Sequence, residues 1–166
     1  MLPEADPIAL IQRGWRVLGG SGAGRLLFAQ ALGRLVPYSG SVPFGIEDLS
    51  PGQATLTLPD RRAIRNHLGS IHAVALANVL ELAANLALVP QMARGQSFIV
   101  TRLDMRYLAK ARGTLRIEGS APTDLSALTE STPLTLETYA SASNATGVRV
   151  CEATAEVRVR MKGRAS

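Results

Sequence analysis

The sequence has little of what usually announces a chemistry. It holds one cysteine, Cys151, in 166 residues. That excludes an intrachain disulfide and gives no metal-ligand cluster. Aromatic residues make up only 4%, too sparse for the stacking platforms that bind single-stranded nucleic acid. There is no acidic or basic block and no low-complexity tract. The first residues, MLPEADPIAL, lack the basic start and long apolar run of a signal peptide. A reducing, cytoplasmic setting fits these absences.

What is present is ordinary for a globular protein: 46% hydrophobic and 19% charged residues. The length suits one domain with a sizeable core. The net charge is +5, carried by sixteen Arg and two Lys that are scattered along the chain. Scattered arginines without aromatics do not suggest a nucleic-acid partner. They suit an anionic small molecule, such as a phosphorylated cofactor, equally well.

One stretch organises the rest. From Ile71 to Val89 the residues are almost all Ala, Leu and Val, broken by His72, Asn78, Glu81 and Asn85. Gaps of three and four place Asn78, Glu81 and Asn85 on one stripe of a helix. Roughly 19 residues suffice to cross a bilayer. The mid-helix acid, the small residues and the strand-rich remainder predict instead a core helix wrapped by a sheet, with no membrane partner. A buried acid is costly unless it is paired or used.

Around that helix the pattern predicts a short amphipathic helix over 7–18, stopped by Gly19-Gly20, and a second over 23–35, ended by Pro37. Both cap the domain or extend an interface. Residues 41–50 and 53–60 read as strand, turn and strand about Pro51-Gly52. Asp60–Gly69 is a polar loop. Ser97–Lys110 is a strand with Ile99, Thr101, Leu103, Met105 and Tyr107 on one face. Strands follow over 113–121, with Leu115 and Ile117 inward, and around 134–140. A turn at Asn144–Gly147 leads to the last strand. There inward parity changes from Val148 and Val150 to Ala153, Ala155, Val157, Val159 and Met161, which predicts a β-bulge near Cys151–Glu152.

At this point the chain resembles the hotdog fold, and within it the acyl-coenzyme A thioesterase-like family. Its nearest likeness is the largely uncharacterised bacterial DUF4442/PaaI-like branch. The resemblance is carried by Asn66-x-x-Gly69-x-x-His72, by Glu81 nine residues later, and by the strand Thr101-Arg-Leu-Asp-Met-Arg-Tyr107-Leu-x-x-Ala111-x-Gly113. It implies an α+β architecture: a curved antiparallel sheet of about six strands wrapped around one long central helix. The hotdog domain would span 41–166, after an N-terminal helical extension over 1–40. The implied activity is hydrolysis of acyl thioesters, with coenzyme A as part of the substrate and no metal or redox cofactor. Glu81 would serve as general base or nucleophile, Asn66 would orient water or carbonyl, and Thr101 would help hold the water. The helix start at His72 and Ala73 would offer N–H groups to the thioester oxygen, as helix N-termini can. Arg61, Arg62, Arg65, Lys110 and Arg112 are candidates for coenzyme A phosphates.

The family usually has Gly-Gly after the histidine; here Ala73-Val74 stands, and Val74 narrows the entry. Nine residues also set His72 and Glu81 on opposite sides of one helix, roughly 13 Å apart along it. A two-fold partner helix would bring Glu81 of one chain to the helix start of the other. The expected assembly is therefore a homodimer or a dimer of dimers, in which Asn78 and Asn85 pair across the helix interface.

Plain structural roles stand beside these: His72 as a cap, Asn66 as a turn residue, Thr101 as strand packing, the arginines as a solvated loop. Two rival functions remain. His67 lies fourteen residues before Glu81, the gap used by hotdog dehydratases, though their surrounding Pro and Gly residues are missing. The other rival is a non-catalytic acyl-binding dimer, which a tunnel plugged near Glu81 would favour.

Overall fold

The computed structural model describes residues 6–129 and 131–161. Asp6 starts the first helix, α1 (Pro7–Leu18): its carboxylate accepts the Ile8 N–H at 3.1 Å, and Pro7 fits the first turn. Ser21 caps α2 (Gly22–Leu35) in the same way, through the Gly24 N–H. Trp15 of α1 stacks at a tilt on Phe28 of α2, with ring centres 5.4 Å apart. Residues Ser39–Ser41 then form a 3-10 turn, so the first strand begins at Gly45, later than the sequence pattern suggested.

The strands are β1 (Gly45–Ser50), β2 (Gln53–Leu58), β3 (Gln96–Tyr107), β4 (Leu115–Ser120), β5 (Leu134–Ser143) and β6 (Arg149–Met161). They form one antiparallel sheet in the order β1-β2-β4-β5-β6-β3. The long helix α3 (Ala73–Leu88) lies across β2, β4, β5 and β6. Leu80, Ala83, Ala84 and Ala87 are fully buried there, against Leu56, Ile117, Ala140 and Ala142. Small residues let the helix settle close. Gly119 of β4 marks the contact: a Cβ there would lie 2.2 Å from the Ala83 carbonyl oxygen. The stretch Ala73–Gln91 is apolar enough to cross a bilayer, with mean hydropathy 1.7, but most of it is buried within this sheet. One long helix cradled by a curved six-stranded antiparallel sheet, preceded by two helices, is the hotdog arrangement.

Two irregularities correct the expected strand faces. The β3–β6 register shifts between Val100 and Arg102, leaving Thr101 as an extra residue. Inward parity therefore changes along β3. Phe98 and Val100 pack on the core before the bulge, Leu103 and Met105 after it. Ile99, expected inward, is 62% exposed. In the last strand the predicted bulge falls at Val150, one residue before the expected place, where the β5 pairing steps from Cys151 to Arg149. Val150 and Cys151 are consequently both buried, while Val148 stays exposed in the turn.

Candidate active site

The loop entering α3 is built on Asn66. Its Oδ1 accepts from the Leu68 N–H at 2.9 Å and from the Ser70 N–H and hydroxyl at 3.2 Å each. The Asn66 N–H in turn donates to the Ser70 carbonyl at 2.8 Å. This is the local closure that Asn side chains make, and it engages the Asn66 oxygen fully within the loop. Gly69 takes a positive φ of 67° to complete the turn.

His72 is the N-cap of α3. Its Nδ1 accepts the Val74 N–H at 3.1 Å. That capping bond starts the helix at Ala73 rather than at Ile71. Among the described residues the Ala73 N–H has no acceptor, and Ala73 is exposed. The Tyr107 hydroxyl donates to the Ala73 carbonyl at 3.1 Å and ties the end of β3 to the helix start. Val74 is 54% exposed and projects from the first turn.

The basic residues divide. Arg65 pairs with Asp60 at 2.7 Å, and Asp60 also accepts the Gly113 N–H at 2.9 Å. Arg65 beside it holds the Asp60 carboxyl below its usual range. Arg65 thus joins the loop to the segment before β4. Arg61 and Arg62 are exposed and make no ion pair among the described residues. Lys110 is exposed as well, and Arg112 reaches the Leu68 carbonyl at 3.4 Å. Thr101, the bulge residue, is exposed and donates to the Glu156 carboxylate at 2.5 Å.

Glu81 lies about two turns along α3. It lines a cavity of about 340 Å³ between α3, α1, the residues before β1 and the start of β3. The walls are mainly apolar: Ile8 and Ile11 from α1, Leu82 and Leu86 from α3, Phe98 from β3. Among the described residues Glu81 makes no hydrogen bond or ion pair. Burial raises its pKa above the ordinary carboxylate value. Two further polar atoms at this cavity lack partners: Asn85 Oδ1 and Ser97 Oγ, both shielded from solvent.

The structure therefore separates the sequence candidates into two groups. Asn66, His72 and Ala73, with Arg112 reaching the same loop, stand around the start of α3. Glu81 faces the cavity with Asn85. His72 opens onto a different recess, shared with Arg65 and Asn78. Asn78, expected at an interface, is buried within the chain and donates to the Ser39 carbonyl at 3.3 Å. His67 is exposed in the loop and does not line the Glu81 cavity. Sequence reasoning missed Ser97, Gln96, Ile8 and Ile11 as neighbours of Glu81. Only Asn85, four residues on, carried a visible signal.

A buried helix bearing Glu81, inside a curled sheet, defines a hotdog protein with a cavity beside the helix. The model for the domain of unknown function DUF4442 matches residues 24–159, and the chain belongs to that family. No curated protein matches the chain. A crystal structure from a structural-genomics effort superposes with a TM-score of 0.74 at 27% identity, over 92% of this chain and 99% of its own. A Pseudomonas aeruginosa protein of unknown function, named as a probable thioesterase, gives 0.69 at 23% identity, over 80% and 91%. A Streptococcus mutans protein bound to acetyl coenzyme A gives 0.61 at 18% identity, over 74% and 92%. These likenesses are of fold.

Proposed function

We propose that the protein hydrolyses acyl thioesters of the coenzyme A kind, with Glu81 as general base. The observation that carries this is the unpaired, half-buried Glu81 carboxyl on the wall of a largely apolar cavity. A carboxyl whose pKa is raised by its surroundings is suited to taking a proton near neutrality. The acyl group occupies the cavity, and a water sits between Glu81 and the thioester carbon. Glu81 removes one proton as the water oxygen bonds to the carbonyl carbon. The carbonyl oxygen gains the negative charge and is met by helix-start N–H groups, that of Ala73 first. Collapse breaks the carbon–sulfur bond, and the proton on Glu81 passes to the departing thiolate. The products are a carboxylic acid and free coenzyme A.

Ala73 and Glu81 lie on one helix, too far apart to share a substrate. The reading therefore includes a two-fold homodimer, or a dimer of dimers, in which each site combines the two. The exposed edge of β3, the last strand of the sheet, supports such pairing. Arg61 and Arg62, with Lys110 and Arg112, supply the phosphate contacts; Arg65 is committed to Asp60. The internal bonds of Asn66 and Thr101 favour positioning the loop and strand over contacting water. A soluble protein of the bacterial cytoplasm fits this chemistry. The fold of the neighbours, one carrying acetyl coenzyme A and another named as a probable thioesterase, supports the reading. The open cavity at Glu81 disfavours a plugged, purely structural dimer. A hydrolysis screen across short, long and aromatic acyl-coenzyme A esters tests it. Release of free thiol that disappears in Glu81→Gln is the expected result; no turnover of any ester refutes it.

A further inference from the structure

One wall of the cavity lies outside the matched family domain. The family match begins at residue 24, whereas α1 ends at Leu18. Yet α1 supplies Ile8 and Ile11 to the space that Glu81 faces. We propose that α1 is the specificity element of this site: Ile8 and Ile11 bound one side of the half-open cavity and favour compact acyl groups. The proposal rests on the thioester reading for its chemistry.

Three observations support a fixed wall rather than a loose cover. Ile8 is 7% exposed, and Ile11, Trp15 and Leu18 pack on the core at helical spacing. Gln12 clamps the helix in place, its Nε2 donating to the Val89 carbonyl at 2.9 Å and the Met92 carbonyl at 2.8 Å. Asp6 ties the helix start to the approach to β3, accepting the Gly95 N–H at 3.3 Å. The volume of about 340 Å³ lies near the lower end of small-molecule sites. A chain growing from the thioester carbon beside Glu81 runs between Leu82, Leu86 and Phe98 until it meets α1. Each buried methylene should tighten binding about fourfold until that point. Beyond it, further carbons must displace packed isoleucines or turn out into water, and the gain stops.

The test uses the full chain and two readouts. Hydrolysis is followed with acetyl, hexanoyl, dodecanoyl and palmitoyl coenzyme A. Binding is measured by calorimetry with the corresponding S-alkyl coenzyme A thioethers, which cannot be cleaved. The variants are Ile8→Ala with Ile11→Ala, the milder Ile8→Val with Ile11→Val, and the space-filling Ile11→Trp. Leu10→Ala, on the exposed side of α1, is the control, and thermal melts confirm folding. The wild type should prefer the shorter members. Opening the wall should shift that preference to longer chains, with roughly tenfold gains on dodecanoyl relative to acetyl ligands. Ile11→Trp should shift it the other way, and Leu10→Ala should not move it. One chain-length profile shared by all folded variants, or no chain-length dependence in the wild type, overturns the proposal. Thioethers that bind with the expected shifts while no ester is cleaved would leave the wall standing and refute the hydrolytic reading alone.

Discussion

The decisive perturbation is Glu81→Gln. Glutamine keeps the shape of the side chain, so the cavity of about 340 Å³ and its apolar walls are preserved. It can still hydrogen-bond but cannot take a proton. Loss of a general base typically lowers turnover by about a hundred- to ten-thousand-fold, or about 3–5 kcal/mol in the barrier. Because the acyl wall is untouched, KM should change by less than about threefold, which separates a lost chemical step from lost binding. The pH profile gives a second reading. Burial raises the Glu81 pKa, so turnover in the wild type should rise with pH along a limb above the ordinary carboxylate range. Stability provides the third. A raised pKa means that the folded chain holds this proton more tightly than the unfolded chain does. The stability that goes with it is complete below the ordinary glutamate pKa and is lost as pH rises through the raised one. Glu81→Gln should therefore melt at the same temperature or higher near neutral pH. The assay pairs thiol release with thermal melts and dimer dissociation on one preparation. Full turnover combined with a weakened dimer would refute the catalytic assignment and move the acid to a structural role.

Three further outcomes follow from particular contacts. Replacing Arg61 and Arg62 together by Gln should raise KM more than it lowers turnover, with affinity falling as salt rises in the wild type; unchanged kinetics would return both to plain surface. Gly119→Ala should destabilise the fold by about 1–3 kcal/mol or more, measured by urea unfolding, because its Cβ meets helix backbone rather than a side chain that can swing aside. Burial pushes the Cys151 thiol up to about 11; at neutral pH it should resist alkylation in the native chain and react on unfolding, and rapid labelling of folded protein would contradict its burial on β6, between β5 and β3.

Local chemistry was legible in the sequence wherever it was local in the structure. The helices α1 and α2, the turn at Pro51-Gly52 and the Asn144 turn are each written in adjacent residues, and each forms where the pattern put it. The Asn144 side chain, for instance, accepts the Thr146 and Val148 N–H groups. The long helix was legible from its composition, but its start depended on one capping bond from His72. What alternation could not give is where a strand slips. Ile99 and Leu103 have the same parity, yet Thr101 bulges between them and turns Ile99 outward. Strand order was equally hidden, since β3 pairs with β6 across about 55 residues of chain. At the site, Glu81 drew attention because an acid in an apolar helix is costly. Ser97 and Ile8 gave no such signal, because a serine in a strand or an isoleucine in an amphipathic helix is commonplace.

The contact at Gly119 carries a consequence for what this architecture can vary. There the helix rests on the sheet with room for a hydrogen atom and no side chain. That seam is effectively welded: a bulkier residue would lift α3 and carry Glu81 with it. Change is therefore channelled to the opposite side of the helix, where Gln12 of α1 bonds the Val89 carbonyl just past α3 and Asn78 of α3 bonds the Ser39 carbonyl, each through a replaceable side chain. A lineage built on this plan can exchange its ligand by recutting the cover while the acid keeps its coordinates. Divergence among relatives should then concentrate in the first forty or so residues and spare the seam.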